Sequence, residues 1–238
     1  MGQAGILTEG LIRRFGSLVA LDGVDISVDP GEVVVLLGPN GAGKSTLIRT
    51  LATTLLPDAG RVWVAGFDVV AQPRAALAST GLVLSEDRSF FWRMSGAANL
   101  EFFAALHGLR REAARRRAAE CLAMVGLSDV GGRRVDRYST GMRARLGIAR
   151  ALLGRPRVLL LDEPTRSLDP LVAVEVRRLV LALTADQGVA CLFATHDLHE
   201  AAAVSSGTIV LAGGQVRATI PPGTDAAGLE DALLEAVG

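Results

Sequence analysis

Gly38-Pro39-Asn40-Gly41-Ala42-Gly43-Lys44-Ser45-Thr46 follows the apolar run Val33 to Leu37, and this junction decides the fold. The run is short, continuous and β-branched, which predicts a strand buried on both faces. The nonapeptide has the spacing G-x-x-x-x-G-K-[ST] between that strand and a helix opening near Lys44. Its glycines allow successive backbone N–H groups to converge on phosphate oxygens with no Cβ in the way. The helix start adds its partial positive charge. In this reading Gly38, Pro39, Asn40, Gly41, Ala42 and Gly43 form a phosphate cradle, completed by Lys44, Ser45 and Thr46. Lys44 reaches the outer phosphates and the Ser45 hydroxyl ligates Mg²⁺. Composition agrees: of 25 basic residues, Lys44 is the only lysine and the rest are arginine. A site that needs a compact ammonium and rejects a planar guanidinium explains why this one lysine stands alone.

Val158-Leu159-Leu160-Leu161-Asp162-Glu163 supplies the complementary half. A buried strand ending in Asp162 places a carboxylate beside Mg²⁺, and Glu163, one residue further, can polarise an attacking water. Val189 to Ala194 is a third buried strand. Helical patterns such as Leu171 to Leu183 alternate with these runs, so the chain reads as an α/β core with a parallel sheet. Ahead of it, Gly5 to Ile12 and Val19 to Val28 alternate as exposed-face strands. Gly213-Gly214 predicts a tight hairpin, and a last helix is expected from about Thr224 to Val237.

From Leu84 to Pro156 the pattern turns helical. Leu100, Phe103, Ala104 and His107 form one stripe; Ala114, Ala118, Leu122 and Val125 a second; Met142, Leu146, Ala149 and Leu153 a third. Residues 86–155 therefore read as a helical insertion into a single domain spanning 1–238, with 221–238 as a tail. The five arginines between Arg110 and Arg117 read as a solvated helix face.

The 238 residues are 50% hydrophobic and 21% charged, ordinary globular usage, with 25 acidic against 25 basic side chains. A zero formal charge argues against a nucleic-acid partner. No apolar run approaches the length of a membrane span, and the start lacks the regions of a signal peptide. Cys121 and Cys191, far apart in apolar surroundings, read as a reduced cytosolic pair.

The order of further motifs resembles the nucleotide-binding subunits of ABC transporters along nearly the whole chain. Tyr138-Ser139-Thr140-Gly141-Met142 stands in the place of that family's signature, Ser167-Leu168-Asp169 in that of its D-loop, and Thr195-His196-Asp197 in that of its switch histidine. Phe15, in Arg13-Arg14-Phe15-Gly16, sits where the family stacks an aromatic ring on adenine. Taken singly, Ser139 and His196 read as helix starts and Phe15 as core; their joint spacing outweighs those readings. The resemblance implies an ABC ATPase fold, with an antiparallel β-subdomain before the parallel-sheet core. It also implies ATP and Mg²⁺ as ligands, a second ABC ATPase subunit as partner, expected to be another copy, and a separate integral-membrane permease. Each ATP would lie between Lys44 of one subunit and Ser139 and Gly141 of the other, with Asp169 also among the nucleotide-binding residues. Glu163 would position water and His196 would contact the γ-phosphate. The chain would sit peripherally on the cytoplasmic side of the membrane.

Two departures stand out. Ser85 replaces the family's usual Gln near the metal and is a shorter ligand. Thr140 and Met142 replace Gly and Gln in the signature, a form that resembles bacterial exporter subunits. Arg88-Ser89-Phe90-Phe91-Trp92-Arg93 is the expected permease-docking surface, because three consecutive aromatics cannot all face one core. The alternatives are a soluble ABC-type ATPase without a permease, or a small-molecule kinase that leaves Ser139, Asp169 and His196 idle.

Overall fold

The computed structural model describes residues 4–84 and 89–237. Two sheets share the chain. The first is antiparallel in the order β2-β1-β4-β5, from β1 (Ile6–Phe15), β2 (Leu18–Val28), β4 (Ala59–Val64) and β5 (Phe67–Asp68). β3 (Val33–Leu37) leaves for the second sheet and runs into α1 (Lys44–Leu51); α2 (Pro73–Ala78) follows β5.

The second sheet holds β6 (Thr80–Leu84), β7 (Val158–Asp162), β8 (Ala190–Thr195), β9 (Gly207–Ala212) and β10 (Gln215–Ile220) beside β3, in the order β10-β9-β3-β8-β7-β6. All its pairings are parallel except β9 with β10, where Ala212 opposes Gln215 across Gly213-Gly214 as the hairpin reading expected. Both glycines have positive φ, 58° and 77°, the twist that a two-residue hairpin requires.

Continuous apolar runs arise because β3, β7 and β8 divide their side chains between two cores. Val33, Val35, Leu37, Leu159, Leu161, Cys191 and Phe193 face one; Val34, Leu36, Val158, Leu160, Leu192 and Ala194 face the other. The second core is shared with α1 and the antiparallel sheet. The first is covered by α6 (Pro170–Gln187), α7 (Leu198–Val204), α8 (Ala226–Val237) and the helices between β6 and β7. Each fully buried aliphatic side chain contributes about 1.5–3 kcal/mol, so a strand buried on both faces is anchored twice over.

The helices between β6 and β7 are α3 (Gly96–Leu106), α4 (Arg111–Met124) and α5 (Thr140–Ala151). Gly126, just past α4, takes φ 66°, the left-handed position that ends a helix. The solvated-face reading of the five arginines is corrected at one position. Arg110, Arg111, Arg115 and Arg116 are exposed, but Arg117 is 6% exposed and its guanidinium donates to the carbonyls of Leu152 and Leu153 at the end of α5. It neutralises those orphan carbonyls and the negative end of the α5 dipole. Among the described residues no helix is long and apolar enough to cross a membrane.

Candidate nucleotide site

β3 ends at Leu37, and the next six residues turn tightly before α1 begins. The turn leaves no room for a side chain at its first and last residues. A Cβ on Gly38 would lie 2.1 Å from the Leu211 carbonyl oxygen, and one on Gly43, at φ 107°, 2.5 Å from that of Ala20. No side chain caps α1, so its first N–H groups are open to an anion. Lys44, 6% exposed, donates from Nζ to the carbonyls of Gly38 and, at 3.0 Å, Pro39. Burial lowers its pKa, an effect opposed by the Glu163 and Asp162 carboxylates. An ammonium held on two loop carbonyls is ready to exchange them for phosphate oxygens.

The carboxylates arrive from two strands away. Leu37 pairs with Thr195 of β8, and Ala194 pairs with Asp162 of β7, which brings the ends of β3 and β7 to one side of the sheet. Asp162 is 8% exposed. Burial raises its pKa, against the pull of the Ser45 hydroxyl and Lys44 beside it. A hydroxyl and a carboxylate meeting here form the sparse hard-oxygen set that suits Mg²⁺ completed by phosphates and water.

Glu163 takes φ 50°, a left-handed backbone that costs a non-glycine residue about 1–3 kcal/mol and marks a functional loop. Its N–H is held by the Ala194 carbonyl at 3.0 Å. Its Oε1 lies 2.9 Å from His196 Nδ1 and its Oε2 3.3 Å from an Arg166 guanidinium nitrogen.

These groups line one cavity of about 450 Å³ that contains Asn40 to Thr46, Asp162, Glu163 and Arg166, with Phe15 at its mouth. Phe15 is 46% exposed, and the Arg13 guanidinium sits 4.8 Å from its ring centroid, a cation–π contact. Gly38 and Pro39 do not line the cavity and contribute the carbonyls that hold Lys44, and His196 reaches the site through Glu163. Ser139, Gly141 and Asp169 do not line this cavity. Ser139 caps α5, its Oγ accepting from Met142 N at 3.2 Å, and Asp169 caps α6, accepting from Leu171 N at 3.0 Å. Both are exposed, as is Leu171 at 78%. Ser85 lies outside the described residues, as do Glu86, Asp87 and Arg88. In the aromatic triplet Phe90 is buried, while Phe91 and Trp92 are each 45% exposed.

Sequence reasoning missed three features. The hairpin tip Gly213-Gly214 also lines the cavity, and Gly214 N–H donates to the Ala42 carbonyl at 3.1 Å, bracing the phosphate loop. Only the glycine pair hinted at such a close approach. Buried Glu200 accepts hydrogen bonds from Thr165 and, at 2.6 Å, Thr195, tying the loop after Glu163 to the strand before His196. Arg166 faces Glu163, and the three-residue spacing of the opposite charges was the local signal.

The ABC transporter family model matches residues 21–166. The daunorubicin resistance ATP-binding protein DrrA3 of Streptomyces coeruleorubidus is 43% identical over 91% of this chain and 68% of its own length. The doxorubicin resistance ATP-binding protein DrrA of Mycobacterium tuberculosis is 44% identical over 87% of this chain; the match spans 62% of that protein's length. Among solved structures, the ADP conformation of MJ1267, an ATP-binding cassette of an ABC transporter, superposes with a TM-score of 0.87 at 26% identity, covering 99% of this chain and 98% of that one. The dimeric structure of MJ0796, a bacterial ABC transporter cassette, gives 0.79 at 25% identity, covering 91% and 98%. Together with the phosphate loop and the paired carboxylates on one cavity, these matches show that the chain belongs to the ABC transporter family, as an ATP-binding and ATP-hydrolysing cassette.

Proposed function

We propose that this cassette closes on ATP and Mg²⁺ against a second ABC cassette, another copy of itself, and drives export through a separate membrane permease. The observation that carries the reading is an incomplete site. The phosphate loop, Asp162 and Glu163 share a cavity, whereas Ser139, Gly141 and Asp169 are fixed at helix starts outside it. A partner's Ser139 and Gly141 would close the γ-phosphate side, with the α5 N-terminus contributing its dipole. The dimeric architecture of the related bacterial cassette supports that arrangement. Mg²⁺ held by Ser45 and Asp162 would neutralise phosphate charge; Ser85 is retained as a further ligand candidate. Glu163 orients the attacking water, His196 exchanges Glu163 for the γ-phosphate, and Phe15 stacks on the base.

Export is supported by the drug-resistance names of the relatives and by the Ser139-Thr140-Gly141-Met142 signature. The exposed Phe91 and Trp92 support docking of a permease segment, which would place the chain on the cytoplasmic face of the membrane. We read 1–238 as one catalytic domain with 86–155 as its signature-bearing insertion and 221–238 as its tail.

Glu163→Gln tests the chemistry. Nucleotide binding should persist and hydrolysis should fall about 10²- to 10⁴-fold, the usual worth of a positioned base. The variant should elute as a dimer in ATP and as a monomer without it; rapid turnover by it would overturn the assignment. Co-purification of the tagged chain from gently solubilised membranes tests the coupling. A multi-span protein in the eluate supports it, and soluble partners alone would refute it.

A further inference from the structure

Arg166 follows Glu163 by three residues, in a turn closed by its own N–H donating to the Glu163 carbonyl at 3.1 Å. The side chain folds back: a guanidinium nitrogen lies 3.3 Å from Glu163 Oε2 while His196 Nδ1 lies 2.9 Å from Oε1. Both oxygens of the carboxylate are therefore engaged by side chains from different loops. The partners differ in freedom, because the Glu163 side chain is 11% exposed and that of Arg166 58%. Buried Oε2 makes no hydrogen bond, so the ion pair with Arg166 is what engages it, while Lys44 acts on the carboxylate through charge alone.

Arg166 also stands where three cavities meet. It lines the nucleotide cavity, the space beside His196 and Asp197, and a smaller one of about 130 Å³ bounded by Phe90, Trp92, Thr140 and Arg143. In that last space the Arg143 guanidinium lies 5.5 Å from the Trp92 ring centroid and donates to the Tyr138 carbonyl and the Thr140 hydroxyl, next to the signature. The side chain that engages Glu163 thus borders both the nucleotide cavity and the exposed aromatic surface.

A general base needs a free lone pair within reach of its water. A guanidinium nitrogen 3.3 Å from Oε2 stands on the side of the carboxylate from which a water would otherwise approach that oxygen. We propose that Arg166 is a positioning residue that latches Glu163 in the unpartnered cassette and so suppresses hydrolysis until the assembled complex draws the guanidinium away. The latch is weak by construction, since an ion pair with one exposed member is worth little and is screened by salt. That suits a restraint that must release in every cycle. The inference rests on Glu163 being the group that positions water, as proposed above.

The test is steady-state ATP hydrolysis by the full chain, with Mg²⁺, at low and high ionic strength. Arg166→Ala and Arg166→Gln should raise kcat about two- to fivefold with KM for ATP unchanged, matching the loss of one weak ion pair. High salt should raise the wild-type rate towards theirs and leave the variants flat. Arg166→Lys should restore suppression and its salt response, and adding Arg166→Ala to Glu163→Gln should recover no activity. A kcat equal to or below wild type in both neutral variants, or a change confined to KM, overturns the latch. Rapid turnover by Glu163→Gln alone would instead overturn the assignment of Glu163, so the two failures are distinguishable. Melting temperatures of the variants separate loss of folding from loss of the latch.

Discussion

Replacing Glu200 with alanine should destabilise this fold by removing the shared acceptor of a buried network. Glu200 lies in the first turn of α7 and is 4% exposed. One carboxylate oxygen accepts from the Thr165 hydroxyl and faces an Arg177 guanidinium nitrogen at 3.8 Å; the other accepts from the Thr195 hydroxyl at 2.6 Å. Thr165 and Thr195 are 9% and 2% exposed, so water cannot readily replace the lost acceptor. Two hydrogen bonds to a charged acceptor are worth about 1.5–3 kcal/mol each, or roughly 3–6 kcal/mol together. Breaking a buried charge pair from one side independently gives about 3–5 kcal/mol. For a domain of this size each kcal/mol moves Tm by about 2–4 °C, so Glu200→Ala should melt about 6–20 °C lower. Glu200→Gln keeps the shape, one acceptor and a donor, and should lose only about 1–2 kcal/mol, or 2–8 °C. Thermal unfolding by circular dichroism without nucleotide measures both. Hydrolysis by Glu200→Gln, assayed well below its Tm, then reports whether the network also holds Glu163 and His196 in place. Melting of Glu200→Ala within about 2 °C of wild type would refute the energetic argument, and equal losses in the two variants would show that charge rather than hydrogen-bond geometry carries the network.

Lys44→Arg keeps the charge but puts a guanidinium where Nζ rests on the Gly38 and Pro39 carbonyls; calorimetry should show ATP affinity reduced about 10- to 100-fold, the worth of one charge-assisted hydrogen bond. The raised pKa of Asp162 gives a pH dependence of definite sign. Its stabilising effect is full below the ordinary aspartate value of 3.8 and is lost as pH rises through the raised value, while Mg²⁺ needs the ionised form. Mg²⁺-dependent ATP binding should therefore weaken on acidification before pH 3.8 is reached, and Asp162→Asn should abolish that dependence in a magnesium titration. Cys121 and Cys191 are fully buried, with thiol pKa values pushed up to about 11 and about 12. Thiol labelling at neutral pH should follow global unfolding, and fast labelling of the folded chain would contradict their burial.

What could be read from the sequence was local. The run Val33 to Leu37, the nine residues after it and the run ending in Asp162-Glu163 announce strand, cradle and carboxylates, because backbone sterics and buried-strand composition act over a few residues. What joins them is not local. β8 lies between β3 and β7, so Lys44 meets Asp162 only because Leu37 pairs with Thr195 and Ala194 with Asp162, across more than a hundred residues of chain. Arg117 illustrates the limit from the other side. Its neighbours make a solvated helix face, and it alone turns inward because the carbonyl end of α5 arrives there from 35 residues away. Glu200 looks like a helix-start acid, and its bond to Thr165 becomes visible only when the loops after β7 and β8 lie side by side.

Ser139, Gly141 and Asp169 are the reverse case: readable as a pattern, yet outside this chain's own cavity, since the resemblance pairs Ser139 and Gly141 with the nucleotide of the other subunit. Each has a sufficient local explanation as a helix start, so the single chain gives them nothing catalytic to do. Ser139 and Asp169 are exposed, and Leu171 leaves 78% of a large apolar side chain in solvent, which is what a surface reserved for a second cassette requires. A Cβ on Gly141 would lie 2.3 Å from Val172 Cγ1, so the signature helix and the start of α6 are packed together and would meet a partner as one unit.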